Sequence, residues 1–192
     1  MSAGPRTERY LVTLREEFPT LRVVRKEDDG LQKVLDVLLR IGTLNQQRDY
    51  LTKYTTVIGT TIYTPRSWET RSDEERYVTL RHEAVHLRQA RRMGQLGMSL
   101  VYGLVFLPVG LSWGRARIEW EAYAETLWAM AEVHGLPYAS SRPVRDHIVR
   151  QFTSAAYGWM WPFPDQVNRW IDLELEKIAA SPFGRDVSAR PT

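Results

Sequence analysis

The sequence predicts an α+β fold in which several helices accompany a small sheet. Three observations lead there. A β-branched run, Thr55 to Pro65, precedes a long capped helix. Further stretches repeat apolar residues at helical spacing. No internal repeat, low-complexity tract or linker marks a second domain, so residues 7–180 are expected to form one domain, with flexible termini at 1–6 and 181–192.

The first helix is expected from Glu8 to Phe18, with Thr7 as N-cap and Pro19 as stop. Leu21 to Lys26 reads as a short strand leading into the turn signal Asp28, Asp29, Gly30. Leu31, Val34, Leu35, Leu38 and Leu39 then predict an amphipathic helix to about Ile41. The run TTVIGTTIYTP is the strongest strand or hairpin signal, with Gly59 allowing a bulge or bend. Ser72 and Glu75 form a capping box that opens a helix running to Met93, with Gly94 as its stop. Arg88, Arg91 and Arg92 in its last turn complement the helix dipole. A later helix spans about Arg117 to His134, where His134 plays the same dipole role before Gly135. Val144 to Phe152 and Pro164 to Ala179 complete the helices around the aromatic junction YGWMWPFP.

Composition excludes several classes. With 43% hydrophobic residues and seven Trp in 192 residues, the chain can bury a sizeable core and is not a disordered segment. The 26 Lys and Arg against 23 Asp and Glu leave a net charge of +3, too small to argue for a nucleic-acid partner, and no basic tract interleaved with aromatics appears. Cysteine is absent, so neither disulfides nor thiolate ligands are available. Met1 to Pro19 has no apolar core of the secretory type, and a cytoplasmic protein is expected. Met93 to Gly114 contains no charged residue. Gly97, Gly103, Pro108 and Gly110 interrupt it, so a buried helix, a hairpin or a peripheral membrane contact is expected rather than a crossing.

His82, Glu83, Ala84, Val85 and His86 spell HExxH inside the predicted capped helix. Residues i and i+4 share a helix face, so both imidazoles can reach one ion while Glu83 lies close enough to take a proton from its water. Without thiolates, a zinc ion must be held by His and carboxylate, a combination commoner at catalytic than at closed structural centres. Such an ion lowers the pKa of its water toward 7, and Glu83 can accept that proton and pass it to a leaving amine.

HEAVHLRQ, followed on a later helix by IEWEAYAE and preceded by TTIYTP, resembles the gluzincin branch of zinc metallopeptidases, especially its minimal members. The resemblance covers about Thr55 to Ala131. It implies a zincin-like fold, with a small sheet packed on the HExxH helix, and zinc-dependent hydrolysis of peptide or protein substrates with one Zn2+ per chain. It also implies His82 and His86 as ligands, Glu83 as general base and a downstream Glu as third ligand. Glu119 is preferred for that place and Glu121 is the alternative, because residues two apart on a helix point roughly 200° apart and cannot both bind. Where the family carries an Asp four residues after the ligand Glu, Tyr123 follows Glu119 here. Tyr123, His147 and Tyr157 are candidates for supporting a ligand or stabilising a transition state. Trp159, Trp161, Phe163 and Trp170 are expected to cover the core, and Tyr63 and Trp68 to pack in it. The competing reading is a catalytically weak zincin-fold module that binds metal or serves interaction, peripheral to a membrane or within an assembly.

Overall fold

The computed structural model describes residues 4–26, 55–103, 113–154 and 160–182. The expected turn at Asp28 to Gly30, the helix from Leu31, residues 104–112 of the apolar segment, Tyr157 and Trp159 lie outside the described residues. The described architecture is α+β, with one three-stranded sheet and a majority of helix. Contacts divide the chain into two compact units, Met1–Gln95 and Leu96–Thr192.

In the first unit, α1 spans Pro5–Glu17, beginning ahead of the expected Thr7 cap. Pro5 fixes a helical φ where no N–H is needed, and Gly4 becomes the N-cap. Gly4 supplies no side-chain cap, and the cap comes from a distant residue: the Asp73 carboxylate accepts the N–H groups of Arg6 and Thr7, each at 3.0 Å. Thr7 is used differently from the expectation, its hydroxyl donating to the Asp73 carbonyl at 3.0 Å. A Cβ on Gly4 would fall 2.3 Å from the Asp73 carboxyl carbon, so this approach admits only glycine without a shift of Asp73.

Strand β1, Arg22–Arg25, runs parallel to β3, Thr61–Thr64, with Val23 opposite Ile62. Strand β2, Thr56–Ile58, pairs antiparallel with β3, with Val57 opposite Ile62. The sheet order is therefore β1-β3-β2, and the central strand carries the most buried residues. Gly59 does not form a bulge. It takes the first place of the two-residue hairpin loop with φ 60°, the sign that tight hairpin turns require. A 3-10 turn at Arg66–Thr70 buries Trp68 and leads to α2, Asp73–Gly103.

The helical path of α2 breaks at Gly94, where φ is 72° and ψ is 164°. The expected stop at Gly94 is thus an interruption after which helical backbone resumes. Leu80, Ala84 and Leu87 share a face of α2 and join Leu14, Phe18 and Ile62 in the core of this unit. Full burial of each such aliphatic side chain contributes about 1.5–3 kcal/mol. Arg88 and Arg91 serve a partner beyond the helix dipole: Arg88 grips Glu17 at 2.7 and 3.0 Å, and Arg91 reaches the same carboxylate at 3.0 Å while lying 4.7 Å over Phe18. The clamp joins the last residue of α1 to α2.

In the second unit, α3 (Trp113–His134) starts earlier than expected and ends at Gly135, whose φ is 86°. A short helix, α4 (Leu136–Ala139), follows, then α5 (Arg142–Thr153) and α6 (Pro164–Ala180). Their apolar faces enclose Trp120, Leu127, Ile148, Phe152 and Ile171. Trp161 and Trp170 pack against this core as expected, whereas Phe163 is exposed. The buried carboxylate of Glu174 accepts Trp128 Nε1–H at 2.8 Å and pairs with Lys177 at 2.8 Å, so its polarity is compensated. Among the described residues, no helix is long and apolar enough to cross a membrane.

Asp73 and Glu17 generate a prediction about stability. Desolvation raises the Asp73 pKa, but the hydrogen bonds from Thr7 and Arg6 outweigh it and leave the carboxyl below its ordinary value. Glu17 is lowered chiefly by its hydrogen bond to Arg88, against partial desolvation. Each depressed carboxyl stabilises the fold above its unfolded pKa, and that contribution disappears as pH falls through the folded value. The expected outcome is a Tm that drops on acidification below about pH 4, with a shallower drop in Asp73→Asn. Asp73→Ala should cost about 1–2 kcal/mol at neutral pH, measured by chemical denaturation.

Candidate metal centre

The motif is presented by a helix whose beginning is fixed locally. Ser72 N–H donates to Glu75 at 2.9 Å and Glu75 N–H donates to Ser72 Oγ at 3.1 Å, which is the reciprocal capping box expected from sequence. Asp73, Glu74 and Glu75 fill the first turn, where carboxylates favour the positive end of the helix dipole. From there helical geometry sets the phase of every later side chain.

At about 100° per residue, Leu80, Ala84 and Leu87 point to one side and His82, His86 and Gln89 to the other. The core-facing stripe therefore immobilises the helix without using the donor-bearing stripe. The two imidazoles stand edge to face with ring centroids 5.0 Å apart, and their candidate ligand atoms lie within 4.8 Å. That spacing suits two nitrogens converging on one cation. His86 is buried and its Nδ1 meets Gln89 Oε1 at 2.9 Å, while His82 is half-buried. Glu83 lies between the two stripes and is only 5% exposed.

Arg71 adds a positive charge near Glu83. Its guanidinium reaches Thr79 Oγ1 at 3.3 Å and lies 5.9 Å over the Trp68 ring. Desolvation lowers its pKa, and the carboxylates of Glu75 and Glu83 act in the opposite direction. Sequence reasoning missed both Arg71 and Gln89. Gln89 was legible in principle, because it stands three residues after His86 and seven after His82 on the same face. Arg71 precedes the helix and carried no periodic signal.

The second unit places the remaining candidates. On α3, Ala116, Trp120, Tyr123, Leu127 and Ala131 form the face within that unit's core. Glu119, Ala122, Thr126 and Ala129 form another buried stripe, in which Glu119 is 7% exposed. Glu121 points elsewhere, with its side chain 36% exposed and facing Arg117 at 4.0 Å. The Tyr123 ring packs against Phe152 at 5.6 Å. His147 is on the exposed side of α5, where its Nε2 lies 3.4 Å from Gln151, and the His134 ring packs tilted against Tyr138 with centroids 4.6 Å apart.

Chemically, the α2 stripe offers two imidazoles as nitrogen donors, and Glu83 offers a carboxyl group beside them. This donor set fits zinc, which accepts imidazole and carboxylate ligands. No protein-family model, curated protein or solved structure matches the chain.

The capping box has a measurable role in this presentation. Ser72→Ala should lower the unfolding free energy by about 1 kcal/mol in urea titrations. No loss would mean that contacts elsewhere on α2 hold its first turn.

Proposed function

We propose that the chain is a zinc metallopeptidase of the gluzincin type, with a zincin-like fold and a peptide or protein substrate. The carrying observation is the pair His82 and His86 on one face of α2, with Glu83 buried beside them. We assign His82, His86 and Glu119 as the ligands of one Zn2+, the set that the HExxH motif and the later acidic helix suggest. We prefer Glu119 to Glu121 because Glu119 is buried, as a ligand in a water-shielded centre would be, whereas the Glu121 side chain is 36% exposed and faces Arg117.

Zinc, when bound, supplies a Lewis acid and a water of lowered pKa. The protein's own contribution is positional. His82 and His86 present nitrogens from a rigid helix, and Glu83 is held next to them to accept the water's proton and deliver it to the departing amine. Arg71 places a guanidinium near Glu83, and the two charges attract. We place this enzyme in the cytoplasm, with any membrane contact peripheral and through Met93 to Gly114.

Metal analysis of the purified protein should give one zinc per chain. His82→Ala, His86→Ala and Glu119→Ala should each lose most of the affinity, and Glu121→Ala should stay near the parent value. Loss in Glu121→Ala alone would transfer the third place to that residue. Full zinc content in both histidine variants would remove the centre altogether.

Glu83→Gln separates the enzyme from a metal-binding module without turnover. It should retain zinc and fold while hydrolysis of unstructured peptides falls by at least about 100-fold, because an amide keeps the shape but lacks the basicity. If the parent protein binds zinc but cleaves no peptide in a diverse library, the module reading replaces this one.

A further inference from the structure

We infer that Gln89 is a positioning residue that sets the tautomer of His86, and with it the nitrogen that His86 offers to a cation. This rests on the metal-centre reading above and extends it to a side chain outside the HExxH pattern. Gln89 Oε1 lies 2.9 Å from His86 Nδ1, and both side chains are buried. An amide oxygen only accepts, so the contact requires the proton of the neutral ring to reside on Nδ1. The lone pair is then on Nε2, the atom at the far end of the ring.

An isolated imidazole has two accessible neutral tautomers and can turn about its side-chain bonds. Gln89 removes both freedoms. It selects one tautomer, and its own fixed place on the helix, one turn beyond His86, holds the ring plane. His86 therefore meets a cation already oriented, while the same contact blocks ligation through Nδ1. A neutral amide does this without adding a negative charge, leaving the centre better suited to a carboxylate as its third donor.

The test uses the full chain with 15N-labelled histidine. In metal-free protein, at a pH where the rings are neutral, long-range nitrogen–proton correlation spectra should show His86 with its proton on Nδ1. In Gln89→Leu that preference should be lost, and zinc affinity by competition with a chelating dye should fall about 10- to 100-fold. Gln89→Glu, which keeps an acceptor at the same place, should restore the Nδ1–H form and most of the affinity; a structural loss from altered packing would not be rescued this way. A parent spectrum with the proton on Nε2 overturns the inference without any variant. So does a zinc-binding parent whose affinity is unchanged in a folded Gln89→Leu. If the parent shows the Nδ1–H form but binds no zinc, the tautomer assignment holds and the metal reading fails.

Discussion

The helical phase of α2 is the constraint on which the candidate centre depends. Two imidazoles four residues apart converge only while each residue turns the chain by about 100°. The capping box at Ser72 and Glu75 establishes that turn from the first residue, and Leu80, Ala84 and Leu87 hold the helix by the side away from the donors. Asp73 ties the same opening to the first turn of α1, and Arg88 and Arg91 tie it to the end of α1 through Glu17. α1 is thus held to α2 at both of its own ends, which limits sliding of one along the other.

Much of this organisation was legible because it is local. The capping box, the hairpin around Gly59 and Thr60, the break at Gly94 and the stop at Gly135 follow from residues within a few positions of one another. The start of α1 was misread because its capping group comes from Asp73, far along the chain, and a sequence pattern cannot show a carboxylate arriving from another helix. Arg88 and Arg91 were understood as dipole partners for the same reason: Glu17 is distant in sequence. The order of hairpin, capped helix and later helix was legible, but the parallel pairing of β1 with β3 depends on a long-range register that sequence does not display.

The two glutamates of α3 illustrate what burial adds to spacing. Sequence gives Glu119 and Glu121 equal chemistry and nearly equal context. A turn of about 200° separates them, and the structure assigns one to a buried stripe of small residues and the other to a solvated ion pair. Exposed pairs such as Arg117 and Glu121 contribute little, about 0–1 kcal/mol, because water screens both charges. A carboxylate such as Glu119 interacts more strongly with whatever charge compensates it, so its environment is the more selective one. Gln89 follows a similar logic: its burial converts an ordinary side-chain hydrogen bond into a fixed orientation of the neighbouring ring.

The conformation of Gly94 has a consequence in terms of handedness. Among the described residues, a Cβ built there meets nothing within 4 Å, so none of them excludes a larger residue by volume. The exclusion comes from the positive φ of 72°, which L-amino acids disfavour through collisions with their own backbone. Mirror inversion of φ 72° and ψ 164° gives an ordinary extended conformation, so a D-residue would meet neither obstacle. The position is selective for stereochemistry rather than for size, and glycine is the encoded amino acid that satisfies it because it has no hand.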